Sequence, residues 1–154
     1  MLATEILKQD HREAMTLIAE LEGAESEDSG DSTSIEGFTK LDAALTLHMR
    51  EEEEIFYPAL IEYEEFSDLL SYSIPDHELV KEQLAQMGEL EPESELFQEI
   101  LSELKGALEA HVDNEEDDLF PEASEVLGNA KMEELGQEIE NMKSESGMSQ
   151  TAGM

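Results

Sequence analysis

Leu2, Ile6, Leu7, Met15, Leu17, Ile18 and Leu21 recur at close to helical spacing, and the pattern predicts a first amphipathic helix over residues 2–22 with His11 in its middle. Residues 22–34, EGAESEDSGDSTS, break that pattern with a polar, acidic, Ser- and Gly-rich stretch, predicting a flexible loop that ends in a Ser/Thr helix cap. A second helix is predicted over 35–64, carrying Phe38, Leu41, Leu45, His48, Glu52, Ile55 and Phe56 on or near one face and bent by Pro58. A third covers 67–90, where Pro75 either kinks the helix just before Asp76 and His77 or begins its main part. After LEPESE a fourth helix covers 93–127, with Leu96, Ile100, Leu104, Leu108, His111, Glu115 and Leu119 as its inner stripe and Pro121 near its end. The organisation expected is one four-helix bundle over 1–128, a short C-terminal helix over 129–143 and a frayed polar tail over 144–154.

Composition agrees with an all-α class, since the chain is 39% hydrophobic but only 5% aromatic and is rich in good helix formers. Its 41 acidic against 8 basic residues give a formal charge of −33, which would repel nucleic-acid phosphates and anionic membrane surfaces, so neither is expected as a partner. No apolar run approaches the roughly 18 residues of a membrane span, and the first residues lack a signal peptide's basic flank and apolar stretch. A soluble, cytoplasmic protein is expected. The absence of cysteine excludes disulfides, a thiolate nucleophile and cysteine-held metal clusters. Any metal must therefore be held by imidazole and carboxylate.

The helices carry such a set twice. His48-Met-Arg-Glu-Glu52 is followed by Pro58, and His111-Val-Asp-Asn-Glu115 by Pro121, with ten residues from His to Pro in both copies. Asp10-His11 precedes the first pair and Asp76-His77 the second, so each half supplies one His and then His-x-x-x-Glu. Four residues advance a helix by about 400°, which projects both side chains of a pair from one face. Imidazole offers one nitrogen, whereas a carboxylate has two oxygens and can bridge two cations. Four His and two Glu thus suit a pair of metals.

Glu51 to Glu54 are consecutive, as are Glu115 and Glu116, but position i+3 is Glu51 in one copy and Asn114 in the other, whereas i+4 is Glu in both. The predicted ligands are therefore His11, His48, Glu52, His77, His111 and Glu115. A lone His on an apolar face is more often a hydrogen-bonded core residue, and Glu-rich helices produce chance pairs. Here all four histidines fall one per helix, two of them in matched pairs, which favours the metal. The aspartates before His11 and His77 fit a capping, hydrogen-bonding or solvated role, while Tyr57 and Phe120, matched across the repeat, fit core packing, with Tyr57 also able to donate to a bound ligand.

The order His, His-x-x-x-Glu, His, His-x-x-x-Glu, set in HMREEEEIFYPAL and HVDNEEDDLFPEA, resembles the hemerythrin-like HHE cation-binding family over residues 2–127. Ferritin-like di-iron bundles pair Glu with His at i, i+3 instead. The resemblance implies an antiparallel up-and-down four-helix bundle holding two iron ions, oxo- or hydroxo-bridged, with zinc or manganese as the alternative metals. Oxygen-carrying members have a second His four residues from the third-helix ligand, where this chain has Ser73 and Lys81, and an acidic ligand five residues after the last His, here Glu116. The symmetric four-His, two-Glu set is closer to that of repair-of-iron-centres proteins, although those often carry a cysteine-bearing domain and this chain has no cysteine. The function expected is a non-haem di-iron protein that binds or senses O2, NO or peroxide, or handles iron. The alternative is a di-iron enzyme that decomposes peroxide, reduces NO or repairs iron centres.

Overall fold

The computed structural model describes residues 1–22 and 32–146. Residues 23–31 of the expected loop and 147–154 of the expected tail lie outside the described residues. Helix α1 spans Ala3–Leu21. Its free N-terminal amides are met in part by the Glu5 carboxylate, which accepts the Leu2 N–H at 3.0 Å. Helix α2 covers Ser32–Glu51, passes through a widened π-helical turn at Glu52–Phe56 and ends in Tyr57–Leu60. A short 3-10 turn, Glu64–Phe66, leads into α3, Ser67–Met87. Helix α4, Glu95–Asn114, is capped by the Ser94 hydroxyl, which accepts the Phe97 N–H at 3.2 Å, and it passes through a second π-helical turn at Glu115–Leu119. Helix α5, Phe120–Ser146, contains a break at Gly128, whose φ of 81° is open to glycine at little cost.

The chain is thus a helical bundle, with no strand among the described residues. α1 packs on α2 and on α5, and α3 packs on α4. The segment of α5 before Gly128 completes the fourth bundle helix, and the segment after it is longer than the expected 129–143, because residues 144–146, placed in the frayed tail, are helical. Leu96 was expected in the inner stripe of the fourth helix but is 51% exposed; Phe97 is buried in its place, since Ser94 starts the helix with that face turned inward. Pro75 neither begins nor ends α3. The ladder bond it removes lies in a stretch where the Ser71 and Ser73 hydroxyls donate to the Asp68 and Leu69 carbonyls.

Apolar side chains form two separate cores. One is built from Ile18, Leu41, Leu84, Leu101 and their neighbours. The other joins Ile6, Leu7, Phe56, Leu60, Phe66 and Phe120 to Met132, Leu135 and Ile139 of α5. Between them lies a buried polar layer containing His11, His48, Glu51, Glu52, His77, His111 and Glu115. α5 reaches α1 at a contact that only glycine permits, since a Cβ at Gly136 would overlap the Met1 carbonyl oxygen. The final segment is thereby locked over the N-terminal end of α1.

Candidate metal centre

All six residues singled out in the sequence meet in this layer. Four imidazole Nε2 atoms point inward, and each of the two carboxylates offers one oxygen to each half of the site. Glu52 Oε2 lies 3.3 Å from His48 Nε2, and Glu115 Oε1 lies 3.1 Å from His11 Nε2. On the other side Glu52 Oε1 is 3.0 Å from His77 Nε2, and Glu115 Oε2 is 3.1 Å from His111 Nε2. Potential ligand atoms of His11, His48, Glu52 and Glu115 lie within 4.8 Å of one another, as do those of Glu52, His77 and His111. Glu52 belongs to both groups, and Glu115, of the first group, also reaches the other half through Oε2, 3.1 Å from His111 Nε2.

Local structure explains this convergence. Both glutamates open a π-helical turn, in which the Tyr57 and Phe120 amides donate to the Glu52 and Glu115 carbonyls across five residues. The wider turn comes just before Pro58 or Pro121 in each copy, so the irregularity expected at the proline begins at the ligand itself.

Each histidine is oriented by a carboxylate on its Nδ1. Asp10 Oδ2 lies 2.9 Å from His48 Nδ1, and Asp76 Oδ2 lies 3.1 Å from His111 Nδ1, both within one half of the repeat. The other two bonds cross between halves, with Glu53 Oε2 2.6 Å from His77 Nδ1 and Glu116 Oε2 2.7 Å from His11 Nδ1. An Nδ1–H donated outward leaves the Nε2 lone pair facing the centre, the tautomer a metal needs. Tyr57 and Phe120 stack on His77 and His11, with ring centroids 5.7 Å and 6.0 Å apart.

The donor set fits metal ions. His11 Nε2, His48 Nε2, Glu52 Oε2, Glu115 Oε1 and His111 Nε2 are buried without a hydrogen-bond partner, although several lie near 3 Å from one another. Atoms so close yet unbonded aim at a common point rather than at each other. Uncompensated, each buried polar atom costs about 1–3 kcal/mol, a penalty that a shared cation removes.

A profile of the Hemerythrin HHE cation binding domain matches residues 2–123 and again 68–146. The chain belongs to the hemerythrin HHE cation-binding family. The crystal structure of a Hemerythrin HHE cation binding domain-containing protein from Mycobacterium kansasii, a homologue of Rv2633c, superposes with a TM-score of 0.77 at 27% identity, covering 94% of this chain and 86% of that one. No curated protein matches the chain.

In this hemerythrin-family site the electrostatics call for positive charge. Burial opposes a charge on His48 and His111, yet Glu52 and Asp10 raise His48 well above the ordinary imidazole range, and Glu115 and Glu52 raise His111 to about 11. Burial likewise opposes ionisation of Glu52, but its histidine neighbours hold its pKa well below the ordinary carboxylate value. Cations entering such a site displace imidazole protons, so metal uptake is coupled to proton release.

Several site features go beyond the six residues. The Tyr57 hydroxyl, read in the sequence as core packing or as a donor to a bound ligand, donates to Glu115 Oε2 at 2.6 Å and lies 3.0 Å from Glu52 Oε1. Burial and the two carboxylates push its pKa up, so it keeps its proton. Glu53 and Glu116 were visible as the repeated residue five after each paired His, but their partners in the opposite half were not. A third group, Asp10, His48 and Glu51, already holds a cation, the Lys143 ammonium, whose Nζ is 2.9 Å from Asp10 Oδ1 and from Glu51 Oε2. Nothing in the sequence pairs a residue near the C-terminus with this site.

Proposed function

We propose that this chain is a non-haem di-iron protein that binds O2, NO or peroxide, or handles iron, through His11, His48, Glu52, His77, His111 and Glu115. The observation that carries the reading is the inward convergence of buried, unpartnered nitrogen and oxygen atoms, with one oxygen of each glutamate facing each half. One cation would take His11 and His48, the other His77 and His111, and Glu52 and Glu115 would bridge them. Iron bound there would supply a redox-active Lewis acid with a coordination position left for a small molecule. The protein's own part is to hold the four imidazoles in one tautomer through Asp10, Asp76, Glu53 and Glu116, to exclude water with two apolar cores, and to keep a proton on Tyr57 Oη beside the centre.

Metal analysis and the absorption spectrum of anaerobically purified protein test this reading. About two irons per chain, with charge-transfer bands of a coupled ferric pair that respond to one of the three ligands, are expected. His77→Ala and Glu115→Ala should each lose iron and the stability that iron confers, and unchanged iron content in either variant rejects that ligand. The Tyr57 hydroxyl, 3.5 Å from His77 Nε2, also favours a second reading, turnover of peroxide, because it could donate a hydrogen bond to a peroxide held at that side of the centre. Sustained oxygen release from hydrogen peroxide over many turnovers would distinguish it from stoichiometric binding.

A further inference from the structure

The two halves of the site share a ligand pattern but not a cover. In the register that matches Asp10 to Asp76 and His48 to His111, Leu7 matches Ser73, Ile6 matches Tyr72, and Glu51 matches Asn114. On the first half Ile6 and Leu7 are buried in the core that includes Met132, Leu135 and Ile139 of α5, and Lys143 closes the edge across Asp10 and Glu51. Its Asp10 side chain is 12% exposed, whereas Asp76 is 42% exposed. On the second half a crevice of about 140 Å³ runs between α3 and α4, passes Tyr72, Ser73, Asp76 and Asn114, and reaches His111 and Glu115.

The hydroxyl of Tyr57 is on this same side. It lies 3.5 Å from His77 Nε2, while the matched residue Phe120, stacked on His11, has no hydroxyl. The unpartnered atoms are unequal too. Both nitrogens and both oxygens of the His11–His48 side are free for a cation, whereas on the other side Tyr57 already hydrogen-bonds the oxygens of Glu52 and Glu115.

We infer that an exogenous ligand enters through this crevice and binds at the His77–His111 side, while the His11–His48 side is a closed holding position sealed by α5. The inference rests on the metal-site reading above. At about 140 Å³ the crevice is smaller than the roughly 300–1,000 Å³ of pockets that take drug-sized ligands, so the ligand is a small molecule. Asp76 at the rim and a net charge of −33 disfavour anions, which leaves small neutral molecules able to accept a hydrogen bond.

The test uses the full iron-loaded chain in the ferrous state, nitric oxide as the probe, and stopped-flow absorption with iron content measured alongside. Ser73→Leu gives the second half the side chain of the first and should slow association by roughly tenfold or more with iron retained. Tyr72→Ala, at an exposed mouth residue, should speed association by about threefold. It decides the matter by itself should Ser73→Leu fail to fold. Azide, similar in size but anionic, should bind the ferric protein faster as salt is added, and a fall with salt would overturn the preference for neutral ligands. A wild-type protein that holds no iron, or holds it without taking up nitric oxide, defeats the proposed function. Uptake at the wild-type rate in both variants leaves that function standing and overturns the entry side.

Discussion

Lys143, one of only eight Lys and Arg residues, lies 92 positions from Glu51 of α2 and 133 from Asp10 of α1 along the chain, and replacing it with Met keeps most of its aliphatic length and removes the charge.

 The fold alone creates both contacts. Removing one partner of a fully buried ion pair costs about 3–5 kcal/mol. Two features reduce that figure here. Lys143 is 18% exposed, so water can reach the edge it leaves, and burial pushes Glu51 up to about 8, so this carboxyl can take a proton at neutral pH instead of remaining an unpaired anion. Asp10 keeps its bond to His48 and, against the effect of burial, is held down at about 2 by that histidine and by its other neighbours. The expected loss for Lys143→Met in metal-free protein is therefore about 2 kcal/mol, or roughly 4–8 °C in Tm for a chain of this size. The sign of the pH dependence follows from Glu51. Its native pKa lies above its ordinary 4.5, so between that value and about 8 the folded state binds more protons than the unfolded one, and stability falls as pH rises. Loss of the Lys143 charge, which lowers the Glu51 pKa, extends this window upward, so the variant should lose more at about pH 9 than at about pH 6. Urea unfolding followed by circular dichroism at the two pH values, with Glu51→Gln added to remove the titrating carboxyl, measures each part. A loss below about 0.5 kcal/mol at both pH values, or a larger loss at the lower one, would refute the reasoning.

Two further outcomes are expected. Tyr57→Phe removes the donor to Glu115 Oε2 and Glu52 Oε1 and should destabilise the metal-free protein by about 1–2 kcal/mol, with a smaller deficit once metal is loaded, as read by thermal unfolding with and without iron. Gly136→Val forces side-chain atoms into the Met1 carbonyl and should cost about 2 kcal/mol while loosening the last segment of α5, seen as faster amide exchange around Met132–Ile139; unchanged protection there would show that the segment is not held by this contact.

Much of the centre could be read from the chain because helical periodicity is a local property. The i, i+4 spacing places His48 with Glu52 and His111 with Glu115 on common faces, and the repeat distinguishes Glu52 from Glu51 by pairing the latter with Asn114. The inward stripe of each helix follows from the same spacing, apart from Leu96, where the capping position of Ser94 decided which neighbour faced the core.

Contacts between helices depend on their relative rotation and register, which no single stretch of sequence carries. Only the tertiary structure paired Glu53 with His77 and Glu116 with His11, aimed the Tyr57 hydroxyl at the Glu115 carboxylate, and brought Lys143 between Asp10 and Glu51. It also separated two halves that look equivalent in the sequence, since whether a crevice is open depends on what lies over it. Beyond the glycine at 128 the chain turns back across α1, buries Leu7 and leaves its counterpart Ser73 beside an open crevice.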